Sequence, residues 1–105
     1  MEREKDIEQY LVRKVKTLGG LCFKWVSPGT NGVPDRIVIY KGNVLFVEMK
    51  RKNGKPSPVQ EVMAARLKEQ GLRVWFLYSK KQVDTFIEWL KLIGWGWTDK
   101  PYGLN

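Results

Sequence analysis

Three side chains in this sequence have the types and spacing to do chemistry together: Asp35, Glu48 and Lys50. Two β-branched, strand-like runs, Arg36 to Tyr40 and Val44 to Lys50, are joined through Lys41-Gly42-Asn43, which reads as a hairpin. With Gly42-Asn43 as a two-residue turn, Lys41 faces Val44, Ile39 faces Phe46, Ile37 faces Glu48 and Asp35 faces Lys50. Side chains alternate with period two, so Asp35, Ile37, Ile39, Phe46, Glu48 and Lys50 project from one face. Asp35 and Glu48 are then diagonal neighbours, roughly 7–8 Å apart at their Cα atoms, near enough for both carboxylates to share one cation. A hard cation such as Mg²⁺ takes a few carboxylate oxygens and keeps several waters. Lys50 would hold a water beside it or stabilise charge on a phosphate oxygen, while the metal polarises the phosphate and acidifies the water. The same spacing also describes a plain Asp35–Lys50 cross-strand ion pair with Glu48 solvated at the sheet end.

Composition narrows the chemistry. The 105 residues contain no histidine and one cysteine, Cys22. Triads with an imidazole base, His-metal nucleases, Cys/His zinc sites and disulfide-built secreted scaffolds are excluded, and a reducing compartment is expected. A formal charge of +8 makes a polyanion the expected partner. The opening Met1-Glu2-Arg3-Glu4-Lys5-Asp6 is followed by no apolar run, so neither a signal peptide nor membrane association is expected. At this length one domain over 1–105 is the expectation, with its core at about 4–90 and an aromatic, glycine-rich tail over 94–105.

The elements that must position the three groups follow the hydrophobic periodicity. Ile7, Leu11, Val15 and Leu18 recur at helical spacing before Gly19-Gly20, which predicts a first helix of roughly four turns. Leu21 to Val26 reads as a short strand, and the glycines and prolines of 27–34 predict a loop leading into Asp35. Ser57-Pro58 opens a helix that runs to about Gly71. Val74 to Tyr78 is fully apolar and predicts a strand that is either central or covered on both faces, and Ser79 opens a last helix with Val83, Phe86, Ile87 and Leu90 inward. The order is αββ(β)αβα, an α/β fold. Trp95 and Trp97 are expected to cover apolar surface of the domain or of a second subunit.

Val33-Pro34-Asp35, twelve intervening residues, then Glu48-Met49-Lys50 resembles the PD-(D/E)xK nuclease signature. With Gly32-Val33-Pro34-Asp35-Arg36, Val47-Glu48-Met49-Lys50 and Ser57-Pro58-Val59-Gln60, the chain is similar to the VRR-NUC branch of that superfamily, in its small stand-alone phage and bacterial form, over nearly its whole length. The resemblance implies a restriction-endonuclease-like core, a mixed β-sheet flanked by helices, and Mg²⁺- or Mn²⁺-dependent hydrolysis of phosphodiester bonds. It makes Asp35 and Glu48 metal ligands, the Met49 carbonyl a further ligand and Lys50 the catalytic lysine. It further implies DNA as substrate, branched and notably four-way (Holliday) junctions, cut by a homodimer in the cytoplasm of a bacterium or phage-infected host, with no small-molecule cofactor.

The family carries a glutamate on the first helix, and Glu4 and Glu8 both compete for that place, Glu4 inside the apolar arc and Glu8 at its edge. Gln60 has two readings: the family places a glutamine in the site, whereas Ser57-x-x-Gln60 is a capping box, and one side chain does not easily do both. Arg51, Lys52 and Lys55 beside the site, and Asn31 in the preceding loop, are candidate DNA contacts. Arg36, on the face opposite Asp35, reads as structural. The alternatives to a junction-cutting enzyme are a nuclease for flap, nicked or linear DNA and, from another class, a nucleic-acid-binding module without catalysis.

Overall fold

The computed structural model describes residues 1–97, so the tail beyond Trp97 lies outside the described residues. Helix α1 (Glu4–Leu18) is followed by β1 (Leu21–Lys24), β2 (Arg36–Tyr40), β3 (Asn43–Met49), α2 (Pro58–Glu69), β4 (Val74–Leu77) and α3 (Lys80–Ile93). The strands form one sheet in the order β1-β2-β3-β4, antiparallel except for the parallel pair β3/β4. This is the expected mixed sheet flanked by helices.

Alternation along the strands gives the sheet two unlike faces. Val38 and Tyr40, Leu45, Val47 and Met49, and Leu77 point toward α1 and α3, where Ile7, Leu11, Val15, Val83, Phe86, Ile87 and Leu90 complete the buried core. Tyr10 on α1 donates to Asp84 on α3 at 2.6 Å, tying the two helices together. The other face carries Ile37, Ile39, Phe46 and Glu48 and is covered by α2 and by Trp25, whose ring lies 5.0 Å from that of Phe46. α2 starts where Ser57 accepts from the Gln60 N–H and Pro58 takes a position needing no donor.

One expectation is corrected and another is narrowed. The hairpin turns at Lys41-Gly42, with φ of 44° and 79°, and Tyr40 pairs with Asn43. Asn43 leaves the turn because its side-chain amide donates to the carbonyls of Tyr40 (3.3 Å) and Lys41 (3.1 Å), clamping the turn from the strand end. Gly42 is required for a second reason: a Cβ there would stand 2.6 Å from the Trp97 ring. Ile37 therefore faces Phe46 rather than Glu48, a slip of two that leaves every side chain on its expected face. Of the two places open to the apolar β4 the central one is ruled out: it is an edge strand, with both α2 and α3 packed against it. Its Trp75 is covered by Phe86 and Trp89, at 5.3 and 4.7 Å between ring centroids, so helix side chains rather than a further strand account for its apolar character. β1 is also shorter than expected, although the Trp25 N–H still bonds the Asp35 carbonyl at 2.9 Å.

Of the two tail tryptophans, Trp97 packs over the hairpin turn as expected, whereas Trp95 is 89% exposed. No described helix is long and apolar enough to cross a membrane. Leu11 is wholly buried between α1, α3 and the sheet, so Leu11→Ala should cost about 2–5 kcal/mol, read as a lower urea midpoint with an unchanged slope.

Candidate active site

At the end of the β2/β3 ladder, Arg36 pairs with Val47, and one step further the chain sets Asp35 opposite Glu48. The two acids are thus direct neighbours rather than diagonal ones. Asp35 Oδ2 accepts the Met49 N–H at 3.2 Å, which locks the aspartate to the strand that carries its partner. Glu48 is 4% exposed, the one buried charged residue among those described. Its Oε2 accepts from Gln60 Nε2 at 3.0 Å and lies 3.8 Å from Lys50 Nζ. Its Oε1 is buried with no hydrogen-bond donor among the described residues.

Burial and the adjacent Asp35 charge push the Glu48 carboxyl up to about 7, against the pull of Lys50. Burial also raises Asp35, opposed by the Met49 N–H and by the hydrogen bond with Glu48, while the charges of Glu8 and Glu4 add to the rise. The two carboxyls are in hydrogen-bonding contact, and the Asp35 charge disfavours ionising Glu48. Among the described residues no group of three or more His, Cys, Asp or Glu side chains forms a metal centre. The oxygen set is two carboxylates and neighbouring backbone, which suits a hard cation that keeps most of its waters.

Gln60 does both of its candidate jobs, contrary to the expectation that one excludes the other. Its Oε1 accepts from the Ser57 N–H at 2.9 Å and its Nε2 reaches Glu48, so the two ends of one amide cap the helix and hold the acid. Glu8 is paired with Arg36 at 2.7 Å, both side chains about one-fifth exposed. Glu4 is exposed and accepts from the Arg51 N–H at 3.4 Å. Both glutamates stand within electrostatic reach of Asp35. The sequence did not reveal that Arg36 holds Glu8, although an arginine directly following the first acid was the available signal. Arg51, Lys52 and Lys55 are exposed on the turn after β3, and Asn31 is exposed along the loop beside α2.

No family model matches the chain. It is 46% identical over 79 residues to a phage protein, "Putative nuclease p44" of Acyrthosiphon pisum secondary endosymbiont phage 1, covering 74% of this chain and 85% of that protein. A solved structure of a VRR_NUC domain superposes with a TM-score of 0.76 at 37% identity, over 81% of this chain and 94% of that one. The chain belongs to the VRR-NUC family of nucleases. In this VRR-NUC chain the residues that resemble the family motif are also those that meet at one sheet end: Asp35, Glu48 and Lys50, with Gln60 arriving from α2.

The raised Glu48 carboxyl makes stability depend on pH. In the unfolded chain the group returns to its ordinary value near 4.5, so between there and about 7 the folded state holds the extra proton. Its contribution is complete below the unfolded value and is lost as pH rises through about 7. In EDTA, the Tm of the wild type should fall by several degrees from about pH 5 to about pH 8. Glu48→Gln should flatten that fall, and equal slopes for the two proteins would refute the assignment.

Proposed function

We propose that this single nuclease domain is a divalent-metal-dependent DNA endonuclease that cuts branched DNA, four-way junctions above all, as a homodimer. The observation that carries the reading is Glu48, buried beside Asp35, with Lys50 alongside. Two adjacent carboxyls, with Glu48 raised by burial and by its neighbour's charge and carrying an orphaned oxygen, form a set that a cation would relieve. Asp35, Glu48 and the Met49 carbonyl would hold Mg²⁺ or Mn²⁺, which when bound supplies Lewis-acid polarisation of the scissile phosphate.

The remaining chemistry belongs to the chain's own groups. Lys50 stays close to Glu48 because its backbone N–H is bonded to the Leu77 carbonyl at 2.9 Å and its side chain is only 12% exposed. Its ammonium is placed to offset charge that develops on a phosphate oxygen. Gln60 keeps the Glu48 carboxylate aimed by spending its other end on the helix cap. Glu8, held by Arg36, adds negative charge on the α1 side, and Glu4 does so at the helix start. Arg51, Lys52 and Lys55 would contact the DNA backbone around this acidic centre, and Asn31 would contact the DNA from the loop before β2.

The homodimer is supported by apolar surface that α2 leaves uncovered. Leu21 and Phe23 pair with Ile39 and Ile37 on the site-bearing face and are 51% and 52% exposed, and Val44 on the same face is 46% exposed. A second copy seated there would set two sites about a twofold axis beside the interface, the arrangement that opposed nicks on two strands require. The intact acid–acid–lysine set argues against a binding module without catalysis.

The test is a panel of labelled four-way junction, flap, nicked and linear DNA, with Mg²⁺, with Mn²⁺ and with EDTA. The junction should be cut fastest, and EDTA should stop cleavage. Lys50→Ala and Asp35→Asn should each lose at least about 10²-fold in rate, and Asp35→Asn should bind DNA as well as or better than wild type. No cleavage in either metal would sink the reading, and faster cutting of flap or linear DNA would reassign the substrate. Phe23→Glu should convert a dimer to a monomer in light scattering.

A further inference from the structure

Helix α2 carries two stripes, and the core explains one of them. Gln60, Met63 and Leu67 form the inner stripe, with Met63 buried and Gln60 on Glu48. Val59, Val62 and Arg66 fall at i, i+3 and i+7 on the adjoining side, where Val59 and Val62 are 52% and 59% exposed. Valine is a poor choice for an exposed helix position, since it favours neither the helix nor water. These two valines form one wall of a groove of about 460 Å³, whose opposite wall is the 29–31 part of the loop before β2, including Asn31.

The groove is built rather than incidental. Gly32, at φ +86°, brings the loop so close that a Cβ would stand 2.5 Å from the Val59 carbonyl oxygen, so loop backbone rests directly on helix backbone. Both walls are joined along the chain to residues of the candidate active site: Val59 precedes Gln60, and the loop continues through buried Pro34 to Asp35. Arg66, at the far end, makes no hydrogen bond or ion pair among the described residues. The groove thus offers aliphatic surface, a side-chain amide and an unpaired guanidinium in a chain of net charge +8.

We propose that this groove seats an unpaired nucleotide of the DNA strand next to the scissile phosphate. The base lies against Val59 and Val62, Asn31 meets its polar edge, and Arg66 pairs with the adjoining phosphate. A paired base cannot enter, because its face is stacked and its edge engaged, so the groove favours DNA opened at a branch point. This rests on the nuclease reading above and specifies what that site recognises. A duplex offers the groove only its outer backbone, whereas a free nucleotide fills it.

The test uses the full chain in EDTA, where no cleavage occurs, and a short duplex carrying 2-aminopurine either as a single unpaired nucleotide at a flap junction or paired within the duplex. Wild type should bind the unpaired form about tenfold more tightly, with a change in 2-aminopurine fluorescence absent from the paired form. Val62→Glu and Arg66→Ala should each bring that ratio close to one. Arg66→Ala keeps the question open to refutation should Val62→Glu melt early. Equal binding of both forms by wild type would overturn the proposal, as would a ratio that survives in Arg66→Ala. A Val62→Glu effect on oligomeric state alone would assign the groove to a second copy and overturn it too. Because the assay contains no metal, its failure leaves cleavage by Asp35, Glu48 and Lys50 untouched. Intact binding preference without cleavage in Mg²⁺ or Mn²⁺ would count against the nuclease reading alone.

Discussion

Two carboxyl groups kept side by side, Glu48 buried and Asp35 half-buried, are the constraint around which this molecule is arranged. Leaving water is expensive for one ionised acid and more so for two together, and only specific partners make it tolerable. The fold supplies three: the Met49 N–H for Asp35, and the Gln60 amide and the Lys50 ammonium for Glu48. The sum is incomplete, since one oxygen of Glu48 lacks a donor. The apolar core that holds the fold together lies elsewhere.

That core lies on the other side of the sheet. The face toward α1 and α3 is closed by residues that are almost entirely buried, and it holds the strands rigid. The face toward α2 is only partly covered and carries the acids, the exposed apolar strip of β1 and β3, and the groove along α2. One sheet therefore separates stability from chemistry by the alternation of its side chains. Gln60 links the two, because the hydrogen bond that starts α2 and the one that aims Glu48 share a single side chain.

Much of this was legible in the residue pattern. The three helices, the serine caps of α2 and α3, the inward stripe of α3 and the shared face of Asp35 and Glu48 all follow from local chemistry: periodicity, capping and strand alternation. The hairpin register did not, because Gly42 and Asn43 both suit a turn, and the choice was made by contacts distant in sequence or specific to folded geometry. The Trp97 ring occupies the space over Gly42, and the Asn43 amide finds two carbonyls only once the strand has formed. The sequence leaves the place of β4, central or covered on both faces, open for a similar reason. An apolar strand at an edge looks central in sequence when aromatic side chains from a helix, Phe86 and Trp89, cover its inner face.

The sequence by itself determined which groups are available for chemistry: carboxylates and lysine without imidazole, on one face, in a basic chain. Those are properties of composition and of period two, which a register slip of two leaves intact. Only the tertiary structure decided how near the acids stand, that Arg36 takes Glu8, and that one glutamine both caps and aims. Each of those depends on angles and distances between elements far apart in the chain. A carboxylate's environment is set by what packs around it, and packing is written in no single segment.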